Sequence, residues 1–453
     1  MKKQFKNAAF VGAAVLALTG AANAATIDLN IYGASAQFTF WNAAAPTFLT
    51  SVRNCAANPV QTTYTVASDT ANTGKHEVTV GTGCDGATQG TGPNTINIRY
   101  SSKASYDGIL AVKNADDYTT TTQQCASGSG QRKMILTGTT IGCQDVHVGA
   151  SDVAGVSFTQ QSHGQLLGPL GGGQTDRSFT AIPTTGLTSY QPVVVPFGFF
   201  ANKSIQVATC ASGTHAGNLC TTGTADVDCG TGALNSGSGL CTTNTISNIS
   251  REMAVQIFSG NAVAWTDFGA SYSVTGDATS SVVACLRHAG SGTHSTLDYA
   301  VMNSKWGGTL VTNESSVAPI VYFNDGSSDE MKCVNNNATL STPGAIGYAD
   351  SDQGLSSYTN TVALKYNGLL PRRNVIRNGQ YDFYTNEWLF VNPNKVSTAQ
   401  QTLINQLVAF SSTPANIPTS KKAYWATQAE MVWNKTNDQA YPAYGSATSI
   451  QTP

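Results

Sequence analysis

Arg287, Ser291, Gly292 and Thr293 fall within one short stretch, Arg287-His288-Ala289-Gly290-Ser291-Gly292-Thr293. A guanidinium offers planar, forked donors that match an oxyanion. Glycines let main-chain N–H groups approach a ligand closely, and the unpaired donors of a helix's first turn favour negative charge. The apolar run 281–286 reads as a strand entering this turn, and 295–302 as a helix leaving it. Taken alone, the stretch is explained better by a strand–turn–helix connection with no ligand. Three further stretches are built the same way. Residues 27–35 read as a strand ending in a small-residue turn just before Gln37 and Phe38. Residues 95–100 read as a strand running into Ser101 and Ser102, and 146–152 as one ending on the Asp152 carboxylate.

Other chemistries fit these residues less well. Ser291 lies between glycines, but no Gly-x-Ser-x-Gly elbow surrounds it and none of the six histidines has the context of a general base. Cys285, His288 and His294 are a conceivable metal set, but an exported chain with ten cysteines, an even number, makes disulfides the default. Their positions suggest Cys55 with Cys84, Cys125 with Cys143, and Cys285 with Cys333. Cys210, Cys220, Cys229 and Cys241 form a cluster whose pairing the sequence leaves open. Zinc suits that cluster poorly, because the spacings are wide and the segment is rich in Gly, Thr and Ser. No catalytic residue, metal or cofactor is expected.

The elements that position these residues belong to an exported protein. Lys2, Lys3 and Lys6 precede an apolar stretch, Ala8 to Leu18, and Ala22-Asn23-Ala24 resembles a cleavage site, so 1–24 reads as a signal peptide. The stretch is too short to span a bilayer, and periplasmic or secreted localisation without membrane insertion follows. About 430 residues then remain, more than one core usually organises. Charged residues make up 11% and net charge is −2, which gives no electrostatic footprint for nucleic acid.

Helices are expected at 38–49, 104–112, 250–260, 398–410 and 426–433, and a buried strand pair at 191–200. Segments 51–95, 114–140 and 205–245 read as irregular polar insertions, each stapled by its own cysteines. Alternating strands and helices indicate an α/β fold with mixed, mostly parallel sheets.

Five ordered stretches carry a likeness: 32–38, 148–152, 250–267, 287–293 and 344–348. On them the chain resembles the phosphate-binding periplasmic proteins of ABC transporters, with the two-lobed type 2 substrate-binding fold. The resemblance implies inorganic phosphate or a similar oxyanion as ligand, an ABC permease as partner, and a monomer. It assigns the ligand to Gln37, the Phe38 N–H, Ser101, Asp152, Arg287, Ser291, Gly292 and Thr293. Gln37 stands where the family has a threonine, and Lys103-Ala104 where it has glycines. Ala289 replaces an aspartate near the arginine. Asp152 would accept the proton of phosphate and repel fully ionised sulfate. Lobe one is expected at 25–195 plus 343–453 and lobe two at 196–342, with a hinge near Val195 and Ala345. The alternative is a secreted surface protein on this scaffold with a lost or altered anion site, and a phosphatase-type hydrolase ranks behind both.

Overall fold

The computed structural model describes residues 25–65, 75–85, 94–116, 125–162, 177–221, 224–231, 240–303, 309–335 and 343–444. The segment read as a signal peptide lies outside them.

Two seven-stranded mixed sheets dominate the fold. In the first, Thr26–Gly33 sits centrally and pairs in parallel with Asn94–Ser102 and Val148–Ser151. Antiparallel strands flank this parallel core: Lys75–Cys84 and Val60–Thr65 on one side, Trp388–Val391 and Thr188–Tyr190 on the other. In the second sheet, Val283–Arg287 pairs in parallel with Ile320–Asn324 and Ala345–Asp350. Parallel pairing is therefore central in the first sheet, whereas in the second it occupies one side, with Ile320–Asn324 at the edge and antiparallel strands on the other side.

Val193–Asn202 is one strand, not the expected pair, and all ten of its residues are buried. Its first part pairs with Tyr384–Asn386 and Ala426–Thr427, its second with Ala345–Asp350 and Thr361–Ala363. Proline lacks the ladder donor and normally avoids interior strands. Pro196 is tolerated because it stands where partners change, opposite Tyr384, with Asp350 opposite the next residue. The chain crosses between the two sheets at 191–192, again at Glu387, whose N–H donates to Val193 O, and a third time between Val391 and Ala426.

A seam of glycines closes the first sheet against the helix Ser105–Val112. A Cβ at Gly33 would lie 2.1 Å from Ala150 O, one at Gly108 2.5 Å from the same oxygen, and one at Gly149 2.3 Å from Gly108 O. Only glycine permits this approach, which brings the helix start beside the strand end carrying Asp152.

Four further expectations need correcting. Within 51–95, Val60–Thr65 and Lys75–Cys84 are strands of the first sheet; their threonines and valines suit a pleated surface. Within 114–140, Arg132–Thr137 begins a hairpin completed by Thr140–Gln144. The Cys-rich insertion contains the antiparallel pair Ile205–Cys210 and Cys241–Thr245. At 426–433 there is no helix: a short strand, Ala426–Thr427, leads into the single turn Gln428–Glu430.

The three expected disulfides are present, and the open cluster resolves into Cys210–Cys229 and Cys220–Cys241. The two bridges stack, with Cys220 Sγ and Cys229 Sγ 3.5 Å apart. These sulfurs are bonded to one another and are not thiolate ligands. Among the described residues, no helix is long and apolar enough to cross a membrane.

Candidate anion site

The end of Val148–Ser151 delivers Asp152 into a buried position, 1% exposed. Three segments distant in sequence converge on it. Gln37 Nε2 donates to Asp152 Oδ1 at 3.1 Å and to Ser151 O at 2.9 Å. Thr293 Oγ1 donates to Asp152 Oδ2 at 3.3 Å. The Asp152 N–H donates to Ser105 Oγ at 3.1 Å. Gly292 packs so closely that a Cβ there would lie 2.6 Å from Ser105 Oγ and 2.7 Å from Asp152 Cβ.

Burial pushes the Asp152 carboxyl up to about 6; the Gln37 amide, the charge of Arg287 and the Ser105 and Thr293 hydroxyls oppose the shift without cancelling it. Behind the site Glu387, fully buried, accepts from Trp41 Nε1 at 2.6 Å, and burial raises its carboxyl well above the usual range. Trp41 also donates to Gln37 Oε1 at 3.4 Å. The Gln37 amide is thus oriented at both ends, its oxygen by Trp41 and its nitrogen by Asp152.

Arg287 ends the strand Val283–Arg287 and is 1% exposed. Its Nη2 donates to Asp325 O at 2.7 Å and its Nη1 to Ser327 Oγ at 3.3 Å, while Nε has no partner. A buried guanidinium donor without an acceptor is costly, and it sits in the electrostatic field of Asp152. The Arg287 N–H donates to Tyr348 OH at 3.1 Å, and that hydroxyl lies 2.9 Å from His294 Nδ1. Burial holds His288 and His294 neutral by pushing each imidazole down to about 3.

Of the residues expected from sequence, Gln37, Asp152, Gly292 and Thr293 are brought into contact. Ser291 caps the turn, its N–H donating to His288 O at 2.9 Å. Two others are differently engaged. The Phe38 N–H donates to Ser35 O, closing the turn that precedes its helix. Ser101 Oγ lies 2.8 Å from His76 Nδ1, and the hydroxyl that reaches Asp152 belongs to Ser105. Ser105 opens its helix after the extended Ala104, and the expected helix at 104–112 put a hydroxyl at that start. An open polar cavity of about 420 Å³, lined by Gln160, Ser259 and Leu310 among others, contains none of these residues.

No family model matches the chain and no curated protein matches it. Similar folds occur among solved structures. A putative phosphate ABC transporter substrate-binding protein with bound phosphate from Clostridium perfringens is 12% identical, with 86% of this chain and 98% of that one covered at a TM-score of 0.43. An ABC-type phosphate transport receptor from Vibrio cholerae is 12% identical over 84% and 93% of the two chains, TM-score 0.38. PstS from Borrelia burgdorferi is 11% identical over 86% and 97%, TM-score 0.35.

Proposed function

We propose that the protein is an exported receptor that holds phosphate, or an oxyanion like it, between two lobes for an ABC-type uptake system. The observation that carries this reading is that Asp152 and Arg287 are both buried and near enough for the charge of one to act on the other. A buried carboxyl that titrates near 6 sits in the field of a buried guanidinium whose Nε lacks an acceptor. Hydroxyls of Ser105 and Thr293 adjoin the carboxyl. An anion that carries its own proton satisfies both ends, accepting from Arg287 and donating to Asp152. Sulfate satisfies only the first and meets repulsion at the second.

Each sheet organises one lobe. The pairing of 345–350 and 361–363 with Val193–Asn202 supports counting them with 196–342 and not, as expected from sequence, with the first lobe, with the hinge in this reading at the crossings between sheets rather than at Ala345. The site residues are buried, so entry requires the lobes to part and capture requires them to close. Binding without turnover is favoured, because burial pushes the imidazoles of His288 and His294 down to about 3, which makes each a weak base.

One observation favours the rival, a surface protein with an altered site: the Phe38 N–H and the Gln37 amide are engaged by protein acceptors. Isothermal titration with phosphate, arsenate and sulfate separates the two. The receptor reading expects saturable uptake of phosphate that Arg287→Ala abolishes while the fold is retained. No heat and no thermal stabilisation at millimolar phosphate would favour the surface role, since ligand at a hundred times Kd adds about 2.7 kcal/mol.

A further inference from the structure

Arg287 supplies fixed charge to the proposed site, yet position 289, two residues along the same turn, is alanine and offers it no carboxylate. The guanidinium is held instead by the turn that follows Ile320–Asn324, through the Asp325 carbonyl and Ser327 Oγ. That turn is in turn gripped from the other sheet. Lys103 Nζ donates to Asp325 Oδ2 at 2.6 Å, with the two side chains 2% and 11% exposed. Lys103 stands just beyond Asn94–Ser102, and its N–H donates to Gly33 O at 2.6 Å. A second grip is the 3.1 Å contact between the hydroxyls of Ser35 and Ser327.

We propose that Lys103 and Asp325 form a latch across the cleft that couples closure of the two lobes to the orientation of Arg287. Both are positioning residues for anion capture, and the proposal rests on the receptor reading above. When the lobes part, ammonium and carboxylate return to water and the 325–327 turn loses its anchor on the first sheet. When they close, the pair is desolvated and its attraction strengthens in the drier surroundings. Removing one partner then strands the other as a buried, unpaired charge. The same turn sets Arg287 through a main-chain carbonyl, so the guanidinium is aimed when the latch is shut.

The carboxylate's charged partner is the lysine. Burial, the largest single influence, would raise the Asp325 carboxyl, but the charge and hydrogen bond of Lys103 together with the fields of His288 and Arg287 outweigh it and hold the group at about 2. His288 Nε2 is 3.6 Å from Asp325 Oδ1, and its imidazole is neutral near pH 7 because burial pushes it down to about 3.

The test is isothermal titration with inorganic phosphate of wild type, Lys103→Met, Asp325→Asn, the double variant and Lys103→Arg. Small-angle scattering of each ligand-free protein accompanies it. Each single loss is expected to raise the phosphate Kd about tenfold or more, inside the range of ordinary site-to-site coupling. The double variant should bind no worse than the weaker single, and Lys103→Arg should restore most of the affinity by keeping the charge. The preference for phosphate over sulfate should stay unchanged, because Asp152 sets it; general loosening of the fold would erode both. Single variants that match wild type, or losses that multiply in the double variant, would overturn the latch. Should wild type itself take up no phosphate, the receptor reading fails and the latch is judged by scattering alone. A larger radius of gyration for Lys103→Met then supports it, and an identical radius refutes it.

Discussion

The sharpest consequence of the site concerns sulfate and pH. Asp152 has its midpoint near 6 because burial disfavours the carboxylate more than Gln37, Arg287 and the neighbouring hydroxyls favour it. Sulfate keeps its full charge across the neutral range, so it is accepted only by protein molecules whose Asp152 is protonated. About 1% are protonated at pH 8 and about 90% at pH 5, and apparent affinity scales with that fraction, giving a gain of about ninetyfold on acidification. Phosphate brings its own proton and should change far less. Asp152→Asn removes the titration while keeping the shape. Its amide oxygen can accept from Gln37, and its NH2 can donate to Thr293 Oγ once that hydroxyl rotates. The variant should bind sulfate equally at both pH values, near the acid limit of wild type. Its phosphate affinity should fall about tenfold or more through loss of a charge-assisted hydrogen bond. Isothermal titration at pH 5, 6.5 and 8 reads all of this. A flat sulfate profile in wild type, or an unaltered slope in the asparagine variant, would refute the assignment of Asp152 as selector.

Three further outcomes are expected. Gly292→Ala should weaken phosphate capture at least tenfold and lower the melting temperature, since its Cβ would lie 2.6 Å from Ser105 Oγ and overpacking costs roughly 1–3 kcal/mol; an unshifted melting curve would contradict the packing described. Glu330 is raised by burial from 4.5 to about 8, so its contribution to stability is full below 4.5 and is lost as pH rises through about 8. Thermal unfolding should show Glu330→Gln losing less stability than wild type between pH 5 and 9, and parallel curves would count against a buried neutral acid. Replacing Cys285 and Cys333 together by alanine opens a loop of sequence separation 48, and urea unfolding should register a loss of about 4 kcal/mol.

The sequence revealed the parts of the site whose chemistry is local. Arg287, Gly292 and Thr293 share one turn, and Asp152 ends an apolar strand, so residue type and position sufficed. Ser105 was harder, because Ser101, Ser102 and Ser105 look alike until the glycine seam shows which of them faces Asp152. Lys103 and Asp325 lie 222 residues apart, and no local pattern joins them. Glu387 was invisible for a similar reason: a lone acid after Asn386 reads as surface until the chain is seen to cross between sheets there. Among the elements, the strands at 60–65 and 75–84 were hidden by their threonines, which count as polar in composition yet form good strands. The stretch 426–433 was read as a helix, but Ala426–Thr427 is claimed by the long central strand.

The contact of Gly33, Gly108 and Gly149 leaves one jaw of the site almost no freedom to drift. Any side chain introduced there strikes main-chain oxygen, so the backbone of the helix start carrying Ser105 is held at a fixed distance from the strand end carrying Asp152. Retuning the preferred ion over evolutionary time therefore falls to exchanges that keep side-chain volume, such as carboxylate for amide at Asp152, because Gly292 on the opposing jaw is packed as tightly.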